Sequence, residues 1–379
     1  MDFELTKKQE MFRTLFQEFA EKEVEPIASE IDETGEFPWD TVKKMGKLGF
    51  LGLPFPKEYG GAGADTLTYI MAVEEISRAC AATGVILSAH VSLSCHPIYQ
   101  FGTPQQKEKY LVPMAKGELL GAFGLTEPNA GTDAAGQQTL AVRDGDAYIL
   151  NGTKIFITNG GCADVYIVFA MTDPTKGLKG ISAFIVEKGT PGFTFGPREH
   201  KMGIRASSTT ELIFQDCRIP KENLLGKEGE GFKIAMQTLD GGRIGIGAQA
   251  LGIAQAALDE CIRYTKERQQ FNKPLSSFQA VQWMIADMAT DIDAARFLVY
   301  RAAVLKDKKK PFSKEAAMAK LFASEVAMKH TVKAVQIHGG YGYMKEYKVE
   351  RLMRDAKITE IYEGTSEVQR MVIAGHTLK

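Results

Sequence analysis

The chain reads as an α+β multidomain protein. An N-terminal all-α domain is expected over residues 1–120, a middle antiparallel β-barrel or sandwich over 121–230, and a C-terminal four-helix bundle over 231–379. Three observations predict this. A length of 379 residues exceeds what one hydrophobic core usually supports. Apolar residues recur at three- and four-residue spacing in the first third of the chain and again in the last. Between these stretches, turn pairs and short β-branched runs replace the helical period.

Taken in order, Thr6 and Gln9 have capping-box spacing, and Phe12, Leu15, Phe16 and Phe19 continue the apolar face of a first helix. Further helices are expected over 41–48, 67–80, 85–101 and 105–114, punctuated by Pro54, Pro56 and Gly60-Gly61. His90 and His96, on largely apolar helices, read as structural. After Gly121 the pairs Asp144-Gly145 and Asn151-Gly152 read as hairpin turns flanked by strands 147–150 and 154–158. Strands 165–170, 181–186 and 211–214 follow, without the intervening helices a parallel sheet needs. The bundle helices are expected over 248–268, 278–305 and 313–338, the last stopping at Gly339-Gly340. A fourth follows Ser366, which has Gln369 at capping-box distance. The run from Lys306 to Pro311 reads as a solvated loop.

Composition narrows the function classes. Hydrophobic residues make up 44% and charged residues 25%, the balance of an ordinary globular protein. Lys plus Arg number 46 against 47 Asp plus Glu, so no strong field exists to hold nucleic acid or an anionic membrane. The five cysteines are widely spaced, with no metal-site or redox-pair pattern, and read as reduced, mostly buried thiols. The acidic start Met1-Asp2-Phe3-Glu4 resembles neither a signal nor a transit peptide, and no window reaches about 18 uninterrupted apolar residues. A cytoplasmic location is expected, or the mitochondrial matrix if a leader has been removed.

The chemistry concentrates in Ile358 to Arg370. Glu363 stands between Tyr362 and Gly364, just before a helix start. Gly364 permits close approach of a ligand to the backbone. Tyr362 and Ile361 can exclude water and raise the carboxylate toward the range of a general base, while the helix N-terminus acts in the opposite sense. A second cluster runs from Phe123 to Gly136, where the hydroxyls of Thr126 and Thr132 and several glycines can meet a polar ring edge and a phosphate. A solvated Glu before a helix and a turn-rich linker are the plain alternatives for these two stretches. Gly245-Ile246-Gly247-Ala248-Gln249-Ala250 fits G-x-G-x-x-A, but helical sequence on both sides denies it the βαβ setting of a dinucleotide site. No Walker A string and no G-x-S-x-G elbow occur.

The cluster from Gly124 to Gly136, the run from Gln336 to Tyr343 continuing to Asp355, and the Tyr362-Glu363-Gly364-Thr365 loop together resemble the acyl-CoA dehydrogenase family, in order and separation, over essentially the whole chain. The texture around Leu239 to Ile246 is most similar to short-chain, butyryl-type members. The resemblance implies that family's fold and FAD as cofactor. It also implies acyl-CoA as substrate, electron-transfer flavoprotein as acceptor and a homotetramer built as a dimer of dimers. Glu363 matches the catalytic base. Phe123, Leu125, Thr126, Gly131 and Thr132 match the loop that holds FAD, with Thr132 also reaching the acyl-CoA. Phe156, Ile157 and Thr158 match the strand against the flavin, with Phe156 where many relatives have Trp. Arg268, Phe271, Gln279, Gln336, Gly339 and Gly340 resemble residues that reach a neighbouring subunit's FAD, and Thr365 and Glu367 resemble adenosine-side contacts. Asp240 and Arg243 resemble contacts to CoA, with Tyr362 and Gly364 beside the acyl group.

In some relatives the base is a Glu immediately before the residue matching Arg243; here that position is Gly242. Residues 79–106 contain no Arg or Lys, which favours a neutral acyl chain, with short branched chains as the alternative. Oxidase or monooxygenase chemistry, a non-catalytic and even DNA-associated binding protein, and a NAD-linked dehydrogenase are the other readings. No metal is expected.

Overall fold

The computed structural model describes residues 4–379, so the reading of Met1, Asp2 and Phe3 lies outside the described residues. Thr6 opens the helix Lys7–Phe19 with both capping-box bonds in place. Phe16 and Phe19 on this helix pack edge-on against Phe50, each with ring centroids 5.1 Å apart. Helix Thr66–Ala79 is buried along nearly its whole length and carries Glu74 and Glu75 inward. Arg13 from the first helix, Arg296 from the C-terminal part and Arg78 neutralise them, so buried charges are paired as their desolvation demands. The helix expected over 85–101 is in fact three pieces. Ala81–Ser88 continues through a π-helical stretch, Ala89–Cys95, into His96–Phe101.

The sheet contains β1 (Gly121–Gly124), β2 (Leu140–Asp144), β3 (Ala147–Thr158), β4 (Val165–Met171), β5 (Ile181–Glu187), β6 (Phe193–Phe195), β7 (Thr209–Pro220) and β8 (Leu224–Leu225). Their order is β6-β7-β3-β2-β4-β5-β8, with β1 also on β4. Pairing is predominantly antiparallel, but β1 and β2 both run parallel to β4. The β2–β3 hairpin separates β1 from β4 in sequence and serves as the crossover that a parallel pair requires. Asp144 pairs with Ala147 across a turn with Gly145 at φ 58°, as its sequence predicts. Asn151-Gly152, expected as a second turn, lies instead inside β3. A Cβ on Gly152 would stand 2.5 Å from Thr139 Oγ1, and the register slips beside it, so this glycine marks a bulge.

Helices Gly231–Glu267, Gln279–Asp307, Ser313–His338 and Ser366–Thr377 supply the expected bundle, and a shorter helix, Lys348–Thr359, packs alongside. Half of that helix is charged, and among its apolar residues it buries only a narrow Val349, Leu352 and Ala356 stripe. It ties the loop between β6 and β7 and the N-terminal helices to the bundle: Asp355 accepts from the Ile204 N–H at 2.5 Å, and Arg354 bonds both Asp32 and the Met202 carbonyl. The five cysteines are free, four of them buried and Cys162 half-buried.

Candidate active site

Glu363 sits in the loop between helices Lys348–Thr359 and Ser366–Thr377 at φ 52°, a left-handed conformation uncommon for a side-chain-bearing residue and characteristic of constrained sites. The residue is half-buried, but its Oε2 is fully buried and has no hydrogen-bond partner. That oxygen faces Gly242, where an added Cβ would lie 2.1 Å away; Leu93 of the π-helical stretch closes on the same point at 2.8 Å. The two positions that the resemblance marks out for a base thus face each other, and glycine at one leaves room for the carboxylate at the other. Burial pushes the Glu363 carboxyl up to about 8, against the restraining charges of Arg243 and Lys320. Desolvation therefore outweighs both cations.

Several bonds hold the loop. Tyr362 Oη donates to Gln249 Oε1, whose amide donates to the Ala81 carbonyl at 2.9 Å. Gln369 Nε2 donates to the carbonyls of Glu363 at 3.2 Å and Gly364 at 2.8 Å, and Lys320 Nζ also donates to the Gly364 carbonyl at 2.8 Å. Two expectations are corrected here. The helix cap is Thr365, whose hydroxyl accepts from the Val368 N–H, while Ser366 Oγ is buried without a partner. Gln369 reaches the loop carbonyls rather than closing a capping box. Ile361, expected to exclude water, is 47% exposed, so shielding falls to Tyr362, Leu93 and the bundle.

Beside Glu363, Arg243 is buried and bonds Asp240 at 2.6 Å, and Asp240 accepts from Ser313 at 2.5 Å. Segment Ala89–Cys95 joins this pocket to the sheet: it packs on β1, and His90 Nδ1 accepts from the Gly121 N–H at 3.0 Å. Both His90 and His96 are pushed down by burial, and His90 serves as a buried structural link.

The second cluster forms the loop between β1 and β2. A buried Glu127–Lys154 pair at 2.6 Å organises it; Lys154 also donates to the Leu125 carbonyl and Gln137, while Glu127 accepts from the Gln138 and Thr139 amides. The Thr126 carbonyl accepts from the Ile155 N–H at 2.8 Å, which sets the loop beside β3. There the β3–β7 register gains a residue between Lys154 and Ile157, and the bulge turns Phe156 outward at φ 58° with 63% of it exposed. Ile157 is buried and Thr158 half-buried. Phe123 packs on Phe169 at 5.0 Å; Gly131 and Thr132 are exposed, and nothing lies within 4 Å of a Cβ placed on Gly131. An outward aromatic face beside free hydroxyls and an open glycine loop fits a planar, phosphate-bearing cofactor such as a flavin nucleotide.

The remaining residues gather elsewhere. Arg268 caps helix Gly231–Glu267 with its guanidinium over Tyr341 at 5.3 Å, beside Gly339 and Gly340, which are exposed like Gln336. Phe271 tops a tight hairpin at φ 52°, 87% exposed, and Gln279 is the exposed first residue of its helix. Phe278 holds the cap position of that helix. Among the described residues, no hydrogen bond, ion pair or ring contact joins this group to the Phe123–Thr158 cradle. Thr365 and Glu367 lie at the start of the last helix, Glu367 exposed. The sequence reading passed over Leu93, Gln249 and Lys320. Of these, Lys320 carried a signal, a lysine among the buried alanines 316, 317, 319 and 323.

Comparison with known proteins agrees with this geometry. Models of the acyl-CoA dehydrogenase N-terminal, middle and C-terminal domains match residues 6–118, 122–217 and 229–378. The chain is 64% identical to a short-chain specific acyl-CoA dehydrogenase of Clostridium acetobutylicum, over 99% of each protein. It is 57% identical to an acryloyl-CoA reductase (NADH) of Anaerotignum propionicum, over 100% of this chain and 96% of that one. The solved butyryl-CoA dehydrogenase of Megasphaera elsdenii superposes with a TM-score of 0.99 at 58% identity, each chain covered fully. A chain solved in work on the electron transferring flavoprotein of Acidaminococcus fermentans and flavin-based electron bifurcation superposes equally well, at 61% identity and full coverage of both. The protein belongs to the acyl-CoA dehydrogenase family, oxidoreductases acting on a CH–CH pair.

Proposed function

We propose that this protein is a FAD-dependent short-chain acyl-CoA dehydrogenase that converts a butyryl-type thioester to the trans-2-enoyl-CoA and passes electrons to an electron-transfer flavoprotein. The observation that carries the reading is the unpartnered, desolvated Glu363 carboxylate facing Gly242. Phe123, Leu125, Thr126, Gly131, Thr132 and Phe156 to Thr158 would hold FAD. Arg268, Phe271, Gln279, Gln336, Gly339 and Gly340 would complete a second copy's site, with Thr365 and Glu367 on the adenosine side. Their exposure and separation from the cradle support contact with a second copy, which the resemblance extends to a dimer of dimers. Asp240 and Arg243 would meet the CoA arm. Among the described residues, no helix is long and apolar enough to cross a membrane. A cytoplasmic enzyme divided near residues 120 and 230 is the arrangement proposed.

In the reaction Glu363 takes the α-hydrogen as a proton, which a thioester makes only modestly acidic, so placement and desolvation of the base both matter. FAD bound in the cradle supplies the acceptor for the hydride that leaves the β-carbon. Tyr362, Gly364 and Leu93 bound the space at the reacting carbons, and the backbone N–H of Glu363 is available to the thioester oxygen. An anaerobic visible spectrum taken before and after adding butyryl-CoA tests the whole assignment. A flavin band that bleaches is expected; an oxidised band that persists with every short acyl-CoA would defeat it. Rapid peroxide formation in air would indicate an oxidase.

The reverse reaction is a second reading. A Glu363 carboxyl near 8 carries its proton at neutral pH in the empty site and is ready to donate it to an enoyl-CoA. Reoxidation of the dithionite-reduced protein by a 2-enoyl-CoA, set against the forward rate, decides which direction is served.

A further inference from the structure

Lys320 lies on helix Ser313–His338, and its side chain is entirely buried. Its one direct bond is to the Gly364 carbonyl at 2.8 Å, an acceptor that Gln369 Nε2 already serves at the same distance. Satisfying that carbonyl therefore does not require a charged group. Burying an ammonium costs several kcal/mol unless a negative charge offsets it. Lys154, the other lysine buried to this degree, has a direct carboxylate contact and two further oxygens. Among the described residues, Lys320 has no carboxylate within ion-pair distance, and its side chain bonds only the Gly364 carbonyl. Burial lowers Lys320 to about 8, opposed first by Glu363 and then by Glu360 and Glu367, with Arg243 acting in the same sense as burial. Of these, Glu363 is the one whose buried oxygen lacks any donor.

We propose that Lys320 is a positioning residue for Glu363: its ammonium anchors the carbonyl of the following residue and supplies the through-space positive charge that lets the unpartnered carboxylate ionise inside the bundle. The inference rests on Glu363 being the base. The charged and titratable groups facing Glu363 are Arg243 from helix Gly231–Glu267, Lys320 from helix Ser313–His338, Tyr69 from helix Thr66–Ala79 and Tyr362 from its own loop. Arg243 is bonded to Asp240 and shares its charge with that partner. Tyr69 and Tyr362 are held neutral by burial. Lys320 is thus the one cation here without a carboxylate in contact. A cation near an acid favours its charged form, so removing Lys320 makes Glu363 harder to ionise.

The test uses the holoenzyme with Lys320→Met and Lys320→Gln, the second retaining a donor for the Gly364 carbonyl without the charge. The acid limb of the kcat/KM profile for butyryl-CoA reports the base in the free enzyme. Both variants should move that limb upward by roughly one pH unit, giving about tenfold lower kcat/KM below it and convergence with wild type above it. An infrared titration without substrate gives an independent readout. The carboxylic-acid band that Glu363→Gln abolishes should persist to higher pH in both variants. Unmoved limbs and an unmoved band would overturn the proposal, as would wild-type behaviour of Lys320→Gln alone, which would leave only the hydrogen bond. Failure of both variants to fold would assign Lys320 to the scaffold and overturn it too. If wild type itself is not reduced by any acyl-CoA, the proposed function fails, while the infrared titration still judges Lys320.

Discussion

Two glutamates with buried carboxylate oxygens meet opposite fates in this chain. Glu127 has a lysine at 2.6 Å and two backbone amides; burial works to raise it, and these partners outweigh burial and bring it below the usual carboxylate range. Glu363 has an oxygen with no donor at all, its nearest cations act only through space, and burial carries it up to about 8. The first is stabilising and chemically inert. The second is costly to the fold and reactive, the pattern expected where a site is organised for proton transfer.

The largest effect that separates them is catalytic. Glu363→Gln should keep the fold and the flavin while lowering the rate of anaerobic flavin bleaching by roughly 10²–10⁴-fold or more. Substantial residual turnover would remove Glu363 from its role. Lys154→Met should act on stability instead. It strands the Glu127 carboxylate in the interior at a cost of about 3–5 kcal/mol, read as a fall in the thermal unfolding midpoint that a further Glu127→Leu change largely restores.

The pH dependence of stability should differ in sign between the two. A carboxyl raised from 4.5 to about 8 contributes stability that is fully present below 4.5 and lost as pH rises through 8. Glu363→Gln should therefore melt higher than wild type near pH 8, with the advantage vanishing toward pH 4. Glu127 is lowered, so its contribution is present above its unfolded value of 4.5 and lost as pH falls through the folded one. Glu127→Gln should melt lower than wild type at neutral pH, with the deficit shrinking in acid. Melting curves with the same pH slope for both variants would dissolve the contrast.

The smallest effect concerns the loop's frame. Thr365→Ala removes the cap of the last helix and should cost about 0.5–1 kcal/mol in a urea titration, with a modest fall in bleaching rate. Thr6→Ala removes a comparable cap far from the site and serves as the control that leaves bleaching alone.

Local patterning made much of this molecule legible in the linear chain. The Thr6 capping box, the Asp144-Gly145 turn and the helix ending at His338 depend on residues within a few positions of one another, and each stands where its pattern indicates. The Glu363 loop was legible through its resemblance to a family motif, since a Glu between an aromatic residue and a glycine before a helix start also fits a solvated carboxylate. Other features depended on partners far along the chain. Asn151-Gly152 looks like a turn until Thr139 presses against it, and Phe156 faces outward because β7 forces a bulge. Gly242 and Glu363 are 121 positions apart, yet one is the space the other occupies. The raised carboxyl, and the lysine placed to answer it, follow from burial and long-range charge. Both are sums over neighbours that folding brings together, and no window of sequence contains them.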